Sequence, residues 1–533
     1  MTRTTAEAVL DALARRGTKR IYGVPGGGSS LDLIAAAPRF GIRFVLARHE
    51  GAAAMMATAD AELTGAPGAV LTTKGPGITN AANGIFCATL ERAPVVLLSD
   101  GLTAAQLGFV THQVADQRGM TAAIAKGYTR ADGDDPAAEI EALLDLAMTA
   151  PRGAVHLDLT GAAARRPAPE AARAEAGAKA TIDIAEARAL LSRARRPVVI
   201  AGVEVADAAG ADAVRALVAA LGCPALVTYK AKGVVGDADP AYVGLFTGGS
   251  LEATCVDAAD LIILAGLDPV ELILQPWRHR APVLELAARP YPVRYVEPAC
   301  GVYGATAQAL RLLARDAAPS AWTGEEIATH RDAMRAGLAW RALGGLSPPR
   351  IVELAQAAAR DAGRMPRIGV DAGAHMFSAT AFWQCESPRD LLISNGLASM
   401  GFALPAAIAA ALHDPARGGL AFTGDGGLMM CLAELATAAE AGARCVTVVF
   451  NDGALSLIDI KQQQRQLPPE GVRWARADFA RIAEGFHVRG FTARNEDEYR
   501  EALRKAFAHD GPSLIDVPID PAGYGAQLQA MRG

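Results

Sequence analysis

Residues Ala421 to Gly453 read AFTGDGGLMMCLAELATAAEAGARCVTVVFNDG. An apolar run ends in the glycine-rich turn Gly424–Gly427, a helical stretch follows, and a second apolar run ends in Asn-Asp-Gly. A strand, a helix and a strand in this order predict a parallel pair joined by a crossover helix. The carboxyl ends of both strands then meet at one sheet edge, where α/β proteins bind ligands.

The two turns also predict a site for a diphosphate and a metal ion. The glycines of the first turn leave room for an anionic group to reach backbone N–H groups at a helix start. Asp425, Asn451 and the carbonyl of Gly453 offer hard oxygen ligands, which suit Mg²⁺. Gly-Asp-Gly alone is more typical of an ordinary turn. The 24 residues between Gly426 and Asn451 change this interpretation, because they match the length of one helix plus one strand.

The same alternation of apolar β-rich runs and helical patterns continues along the chain. It predicts an α/β protein of mainly parallel sheets flanked by helices. The predicted strands are 21–24, 44–47, 69–72, 95–98, 198–201, 225–228, 261–265, 283–286, 368–370, 391–393, 420–423, 445–450 and 514–517. The segments 162–180 and 319–345 are predicted linkers, so the expected domains are 1–165, 181–318 and 346–533.

Composition excludes several classes of protein. The 533 residues, 51% apolar and 20% charged, predict a folded protein of about three to four domains. The net charge of −5, without a dense basic run, makes nucleic acid an unexpected partner. Seven separated cysteines indicate reduced thiols, and the N-terminus lacks the apolar core of a secretory signal, so a cytoplasmic location is expected. The uncharged stretch 391–412 contains Asn395 and Pro405 and predicts a buried segment rather than a membrane span.

The GDG…N pattern resembles the thiamine-diphosphate (ThDP) enzymes, whose motif is GDG, some two dozen residues, then Asn. The resemblance implies the ThDP-binding fold, with pyrimidine-binding (Pyr), middle and diphosphate-binding (PP) domains, and ThDP and Mg²⁺ as cofactors. Phe450 stands where a further Asn is common in the family and removes none of the ligands. The implied metal ligands are Asp425, Asn451 and Gly453, and the implied diphosphate contacts are Gly424, Asp425, Gly426, Gly427 and Asn451.

Glu50 is the candidate activator of the cofactor. Residues 44–50, FVLARHE, predict a strand followed by Arg-His-Glu at the start of a small-residue helix. A lone Glu at that place would be interpreted as a residue stabilised by the helix dipole. The segment resembles the family's segment in which a Glu carboxyl protonates the pyrimidine N1′, so Glu50 inherits that role.

Three further segments resemble parts of the family's cofactor site. The loop PGGG, 25–28, and the loop TKGPGITN, 73–80, with Lys74 replacing the usual Ser, lie in the first domain. The segment SNGLASMGF, 394–402, resembles the one whose large apolar side chain wedges between the cofactor rings, although core packing by a flexible Met would otherwise be an equally good interpretation. The resulting candidate contacts are Gly26, Gly75, Pro76, Asn80, Ala398 and the wedge Met400, with His375 beside the diphosphate half.

The resemblance covers nearly the whole chain and is closest to the acetolactate synthases, especially the catabolic, flavin-independent branch. The strings THQ at 111–113, GLDPVE at 266–271 with Trp277, and FND at 450–452 look like that branch, so FAD is not expected. The resemblance implies that Gln113 donates to a developing oxyanion and that His112 orients substrate or moves a proton. For either residue alone, a structural hydrogen bond would be the simpler interpretation.

The implied activity is decarboxylation of a 2-oxo acid followed by carboligation, in a homodimer or dimer of dimers with the site between subunits. Leu457 is apolar where simple pyruvate decarboxylases place an acid, which favours carboligation. Two alternatives stay open. One is a decarboxylase or lyase of the benzoylformate or 2-hydroxyacyl type, because the PGGG loop and the ALSL segment, 454–457, depart from the acetolactate synthase pattern. The other is a non-catalytic protein with the ThDP fold.

Overall fold

The computed structural model describes residues 3–168, 182–271, 275–342 and 344–532. They form three six-stranded sheets, and every strand pairing within these sheets is parallel. Helices flank each sheet, which confirms the predicted α/β class with three consecutive domains.

The first sheet has the strand order β2-β1-β3-β4-β6-β5. Its strands are β1 (Arg20–Val24), β2 (Arg43–Leu46), β3 (Gly68–Thr72), β4 (Val95–Gly101), β5 (Tyr128–Thr129) and β6 (Val155–Thr160). Its helices are α1 (Thr5–Arg15), α2 (Ser29–Ala36), α3 (Glu50–Thr64), α4 (Pro76–Leu90), α5 (Ala104–Leu107), α6 (Gln117–Ala122), α7 (Pro136–Met148) and α8 (Gly161–Ala164), with a 3-10 helix at Ala37–Phe40.

The second sheet has the order β12-β11-β10-β7-β8-β9. Its strands are β7 (Pro197–Ala201), β8 (Ala225–Val227), β9 (Tyr242–Leu245), β10 (Leu261–Ala265), β11 (Val283–Ala287) and β12 (Cys300–Tyr303). Its helices are α9 (Ala185–Leu191), α10 (Ala208–Leu221), α11 (Ala253–Val256) and α12 (Thr306–Asp316), with 3-10 helices at Val203–Val205 and Pro269–Glu271; α13 (Gly324–Leu338) follows.

The third sheet has the order β14-β13-β15-β16-β18-β17. Its strands are β13 (Arg367–Val370), β14 (Leu391–Ile393), β15 (Gly419–Gly424), β16 (Cys445–Asn451), β17 (Arg489–Thr492) and β18 (Ser513–Pro518). Its helices are α14 (Pro348–Asp361), α15 (His375–Phe382), α16 (Ala403–His413), α17 (Asp425–Cys431), α18 (Glu434–Ala441), α19 (Ser456–Gln464), α20 (Phe479–Gly485), α21 (Glu496–Ala508) and α22 (Tyr524–Arg532).

The first and third domains pack together through two alanine-rich helices, α3 and α16. Both helices are buried almost all round, and their side chains belong to one apolar core that also includes parts of α4 and α18. Small side chains let the helix backbones approach closely, so this contact fixes the first domain against the third. The uncharged stretch 391–412 forms β14, a loop and most of α16 in this region. None of the described helices has the length and apolarity needed to cross a bilayer.

The predicted linkers differ in how they are placed. Residues 162–168 pack on the first domain, where the Thr5 N–H donates to the Arg166 carbonyl at 2.8 Å and the Ala168 N–H to the Arg3 carbonyl at 2.8 Å. The rest of that linker, 169–180, lies outside the described residues. The second linker, 319–345, contains α13, which packs against β9 of the middle domain. The domain boundaries stay predictions.

Candidate active site

The glycine-rich turn and the Asn-Asp-Gly turn lie side by side at the carboxyl ends of β15 and β16. These strands pair in parallel, so both turns leave the same edge of the third sheet. The buried carboxylate of Asp425 accepts the Gly426 N–H at 2.8 Å on one oxygen and the Gly453 N–H at 2.7 Å on the other. This one side chain therefore bridges the two turns.

Asn451 presents a free amide oxygen beside Asp425. Its Nδ2 donates to the Ala477 carbonyl at 3.1 Å and to Asp516 Oδ1 at 2.9 Å. Its Oδ1 is buried and has no hydrogen-bond partner among the described residues. A buried polar oxygen without a donor is costly, so a cation at this place would supply the missing interaction.

The electrostatics of the turns also suit a cation. Burial raises the pKa of Asp425 to about 6, and the neighbouring Asp452 carboxylate adds to the increase. The Gly453 carbonyl accepts the Trp474 N–H at 2.9 Å and keeps a second lone pair. No described group of three or more His, Cys, Asp and Glu side chains could hold a metal ion. One carboxylate with amide and carbonyl oxygens therefore fits a hard ion such as Mg²⁺.

The three glycines of the turn serve different purposes. A Cβ on Gly427 would stand 2.1 Å from Asp371 Oδ2, so this glycine makes room for a buried carboxylate. A Cβ on Gly426 would stand 3.2 Å from Leu455 Cδ2 and 3.5 Å from Met400 Cε, so this glycine faces the cavity. Gly424 lies against the ring of His375.

A cavity of about 220 Å³ opens beside the turns. It brings together Ala398, Met400, His375 and the glycine-rich turn, as expected for one half of a cofactor site. Its wall is otherwise mainly apolar and includes two side chains from the C-terminal helix α22, Tyr524 and Arg532. Leu455, Leu457, Phe450 and Asp452 also line it.

His375 is a neutral, buried member of this cavity. Its ring stacks on Phe450 with the centroids 5.3 Å apart. Burial lowers the pKa of His375 to about 3, and within the described part of the chain its Nε2 has no hydrogen-bond partner. Phe450, the departure from the commonest family pattern, thus packs against a predicted cofactor contact.

The loop that carries Met400 has a constrained backbone. Ala398 adopts φ +54°, a left-handed conformation that residues with a side chain seldom take. Two residues later, Met400 is half-buried and lies against the cavity side of Gly426. The loop backbone therefore decides where the Met400 side chain enters the cavity.

Glu50 begins α3 directly after β2 and is buried. Its Oε2 accepts from Asn80 Nδ2 at 3.0 Å, while its Oε1 has no hydrogen bond to any described residue. His49 caps the helix, and its backbone N–H donates to the Glu434 carboxylate of α18 at 2.9 Å. The third domain thus holds the start of α3, but through α18 and not through the two turns at Gly424–Gly427 and Asn451–Gly453, the candidate metal turns.

The other first-domain candidates surround Glu50 at the same sheet edge. Gly75 has φ +62°, and a Cβ there would stand 2.6 Å from the Gln113 carbonyl, so the 73–80 loop and Gln113 lie in contact. Pro76 and His112 are exposed, and Lys74 is half-exposed. Gly26 is half-buried in the loop after β1, where its N–H donates to Ser30 Oγ at 3.2 Å.

The chain therefore presents two half-sites. One contains Glu50, the 73–80 loop and Gln113; the other is the cavity with Asp425, Asn451 and Met400. No described first-domain residue lines the cavity beside Asp425.

Several supporting residues were missed by the sequence analysis. Asp371 accepts the Phe402 N–H at 2.7 Å and the Thr423 hydroxyl at 2.8 Å, and so joins the Met400 segment to β15. Asp516 orients Asn451, and Glu434 holds the residues before Glu50. The available signal was an acid inside an apolar run, as in LIDVP at 514–518 for Asp516, because such an acid must be paired when buried.

Three thiamine pyrophosphate enzyme domains match the chain in order. They are the N-terminal TPP binding domain over residues 3–123, the central domain over 184–313 and the C-terminal TPP binding domain over 371–517. The matches follow the three sheets and support ThDP as the cofactor.

Curated relatives span the whole chain. Acetolactate synthase of Bacillus subtilis is 28% identical over 97% of this chain and 93% of its own length. A probable 2-ketoarginine decarboxylase of Pseudomonas aeruginosa is 30% identical, covering 97% and 94%. A catabolic acetolactate synthase of Raoultella terrigena is 27% identical, covering 97% and 95%. These similarities confirm the predicted family.

A solved structure shares the fold. The thiamine diphosphate-dependent 4-hydroxybenzoylformate decarboxylase of Rhodococcus jostii RHA1 superposes with a TM-score of 0.83 at 22% identity, covering 97% of this chain and 99% of that one.

Proposed function

The chain belongs to the thiamine pyrophosphate enzymes, a family of ThDP-dependent enzymes acting on 2-oxo acids, and we propose that it decarboxylates such an acid and joins the remaining fragment to a second carbonyl compound, like acetolactate synthase. The observation that carries carboligation is Leu457, an apolar side chain in the cavity wall. The carboxylates in that wall are Asp425, on the metal turn, and Asp452, which accepts a hydrogen bond from Ser456. Neither carboxyl is free to give a proton to the fragment that remains after decarboxylation. Addition of that fragment to a second carbonyl compound is therefore favoured over its protonation.

The metal turns would hold Mg²⁺ through Asp425, Asn451 and the Gly453 carbonyl. The free Asn451 Oδ1 and the raised pKa of Asp425 support this assignment. Gly424, Gly426 and Gly427 would leave the diphosphate room, with neutral His375 beside it. ThDP, when bound, supplies the nucleophilic C2 carbon and the electron sink for decarboxylation.

Glu50 would hold a proton at N1′ of the pyrimidine. Its open Oε1 is available for that contact because Asn80 already donates to Oε2. Met400, with Ala398 beside it, would fix the bent shape of the cofactor, so that orientation replaces a separate protein base. The pyrimidine would lie against Gly26, Gly75 and Pro76. Gln113 would donate a hydrogen bond to the developing oxyanion, and His112 would orient the substrate.

The complete site would require two copies of the chain, as a homodimer or a dimer of dimers. Glu50 and Asp425 belong to separate half-sites within one chain. Large apolar side chains near both half-sites are exposed, among them Phe109 at 77% and Met430 at 61%. A second copy that covers them would join Glu50 of one chain to Asp425 of the other.

We propose that the protein works without a flavin. The crevice where the strand order of the middle sheet reverses, between β7 and β10, would be the place for a dinucleotide. It contains Asp268, which accepts from Arg92 Nη2 at 2.9 Å and from the Tyr291 hydroxyl at 2.9 Å. The same Tyr291 hydroxyl also lies within hydrogen-bond distance of Glu204, and its single proton can be donated to one of the two carboxylates at a time. These two carboxylates would disfavour phosphates of FAD close to them, with Arg92 offsetting part of their charge. We also propose a cytoplasmic location, where the seven buried, unpaired cysteines would stay reduced; cell fractionation tests it.

Product analysis tests the proposed reaction. Pyruvate incubated with the enzyme, ThDP and Mg²⁺ should give acetolactate and CO₂, and omission of ThDP should abolish both. Free acetaldehyde as the main product would overturn carboligation. Deuterium exchange at C2 of bound ThDP tests catalysis itself, because a non-catalytic protein would leave that rate at the value of the free cofactor.

A decarboxylase or lyase is the second candidate, favoured by the 30% identical relative named a probable 2-ketoarginine decarboxylase. The cavity argues against the cationic acid in that relative's name. Arg532 of α22 lines it, 5.3 Å from the Phe377 ring, and would repel a guanidinium. A panel of cationic, aromatic and aliphatic 2-oxo acids, assayed for CO₂ and aldehyde, separates the two candidates.

A further inference from the structure

A buried charge cluster joins all three domains beside the loop that carries Met400. Lys230, after β8 of the middle domain, has its Nζ 2.5 Å from Glu62 Oε1, 3.2 Å from Glu91 Oε2 and 3.1 Å from the Ile393 carbonyl. Arg389 of the third domain lies 3.3 Å from the other Glu62 oxygen. Two cations thus face two anions, and the side chains of Lys230, Glu62 and Glu91 are each at most 2% exposed.

Glu91 uses its second oxygen to hold the Met400 loop. Oε1 accepts from the Ser394 hydroxyl at 3.1 Å, the Gly396 N–H at 2.9 Å and the Leu397 N–H at 3.3 Å. One oxygen of this carboxylate therefore faces Lys230, while the other collects three donors from the first half of the loop.

The second half of the loop is held in turn by Ser394. Its Oγ accepts the Ser399 N–H at 3.0 Å, which closes the loop across Ala398 and its left-handed backbone. Ser399 Oγ accepts from Asn83 Nδ2 at 2.8 Å. The next residue is Met400, so a continuous chain of contacts runs from Lys230 through Glu91 and Ser394 to the wedge.

Lys230 compensates the negative charge that this arrangement buries. Without its ammonium, Glu62 would keep Arg389 as its ion-pair partner, and the buried Glu91 would lose the ion pair that the described residues give it. A carboxylate left in that state takes up a proton or moves toward water. Either change would weaken the three hydrogen bonds at Glu91 Oε1 and release the loop.

We propose that Lys230 is a positioning residue, which fixes Glu91 and through it the 394–400 loop, and so sets the place of Met400 against the cofactor. The middle domain thereby acts on the reaction through its contact with the loop, without lining the cavity. The inference rests on the proposed function for its catalytic meaning, whereas its structural part can be measured without cofactor.

Lys232 provides a matched control. It is also fully buried, and its Nζ pairs with Asp237 at 2.7 and 2.9 Å and with the Tyr242 hydroxyl at 3.3 Å. Loss of this ammonium also breaks a buried ion pair, but none of its contacts reaches the 394–400 loop. Lys230→Met and Lys232→Met should therefore both lower the thermal midpoint, while only the first should affect the loop.

The first measurement is amide hydrogen exchange by mass spectrometry on the cofactor-free protein. Lys230→Met should speed exchange in the peptide containing the Gly396, Leu397 and Ser399 amides, and Lys232→Met should not. The second is deuterium exchange at C2 of bound ThDP, which should fall by about 10- to 100-fold in Lys230→Met. The dissociation constant of ThDP should stay within about threefold, because the diphosphate and metal end is unchanged.

Two more variants test the connection between Lys230 and the 394–400 loop. Lys230→Arg keeps the charge and should restore both exchange rates. Ser394→Ala removes the last connection to Ser399. It should reproduce the faster amide exchange in the loop and the slower C2 exchange of bound ThDP. If Lys230→Met does not fold, Ser394→Ala provides the test. Unchanged exchange in Lys230→Met or Ser394→Ala, or an equal effect in Lys232→Met, would overturn the positioning role. A parent protein that exchanges C2 no faster than free ThDP would instead overturn the proposed function.

Discussion

Asp516 Oδ1 lies 2.9 Å from Asn451 Nδ2 and thereby determines which atom of that amide faces the candidate metal site. The other neighbour of Nδ2 is the Ala477 carbonyl, which can only accept. The amide oxygen must therefore be the atom that points away from Asp516 and Ala477. Asp516 lies on β18, the strand next to β16, and would orient the candidate ligand Asn451 without contacting the ion itself.

Asp516→Ala should weaken Mg²⁺ binding by about 10- to 100-fold, because the amide of Asn451 would be free to rotate. Asp516→Asn should bind almost normally, since its own Oδ1 can still accept from Asn451. Titration of Mg²⁺ in the presence of ThDP, followed by tryptophan fluorescence, measures the effect, with Trp474 beside Gly426 as reporter. Ser513→Ala is the control, because its buried hydroxyl has no partner. Equal affinity in Asp516→Ala and the parent would disprove the role.

The sequence predicted those parts of the fold that local pattern determines. Apolar runs marked the central strands, but β6 was missed because His156 and Asp158 interrupt its apolar pattern. Both are buried, and their partners, Ser99 for His156 and Tyr128 for Asp158, are 57 and 30 residues away. The edge strand β17, RGFT, was missed because it is polar and contains glycine.

The same distinction holds for the site. The adjacency of the Gly424–Gly427 and Asn451–Gly453 turns could be predicted because one helix and one strand separate them; the metal site itself stays a prediction. Asp516 acts on a residue 65 positions away, and Glu434 on one 385 positions away. Single-sequence patterns carry no information on such pairings, which only tertiary packing creates.

Gly427→Ala and Gly426→Ala should have different effects although the residues are adjacent. At 427 the new Cβ would stand 2.1 Å from the buried Asp371 carboxylate, so the free energy of unfolding should fall by about 1–3 kcal/mol. At 426 the nearest atoms are Leu455 Cδ2 at 3.2 Å and the Trp474 ring at 3.3 Å, so Gly426→Ala should lose less stability than Gly427→Ala while the cavity narrows. Denaturant unfolding and ThDP titration of both variants measure this. Equal losses of stability would contradict the assignment.

Glu271→Gln should flatten the dependence of stability on pH. Burial raises the pKa of Glu271 from 4.5 to about 8, although the Thr228 hydroxyl and two backbone N–H groups oppose the shift. Between these values the folded chain keeps a proton that the unfolded chain loses, so stability should fall as pH rises from about 4.5 to 8. The decrease in thermal midpoint between pH 5 and 8 should be a few degrees smaller in the variant. A parallel decrease would show that other groups control this range.

Mixing two inactive variants should restore activity if the site lies between chains. Glu50→Gln removes the acid of one half-site, and Asp425→Asn removes the carboxylate of the other. In a random mixture half of the dimers are mixed, and one of their two sites is intact, so about a quarter of parental activity should return after subunit exchange. The Glu50→Gln variant, taken through the same subunit exchange without the second variant, gives the baseline activity. Failure to recover activity, with exchange verified by mass spectrometry, would place both residues in a site within one chain.

If the chain carries out the proposed carboligation, Leu457→Glu should redirect the reaction toward aldehyde release. The new carboxyl would enter the cavity wall, where burial favours its protonated form and makes it a proton donor near neutral pH. A proton would then compete with the second carbonyl compound, and the aldehyde share of the product should rise by roughly tenfold or more. Leu457→Gln has nearly the same shape without an acidic proton, so it should slow the reaction without changing the product ratio. An equal shift in both variants would mean that polarity or shape, rather than proton donation, selects the product.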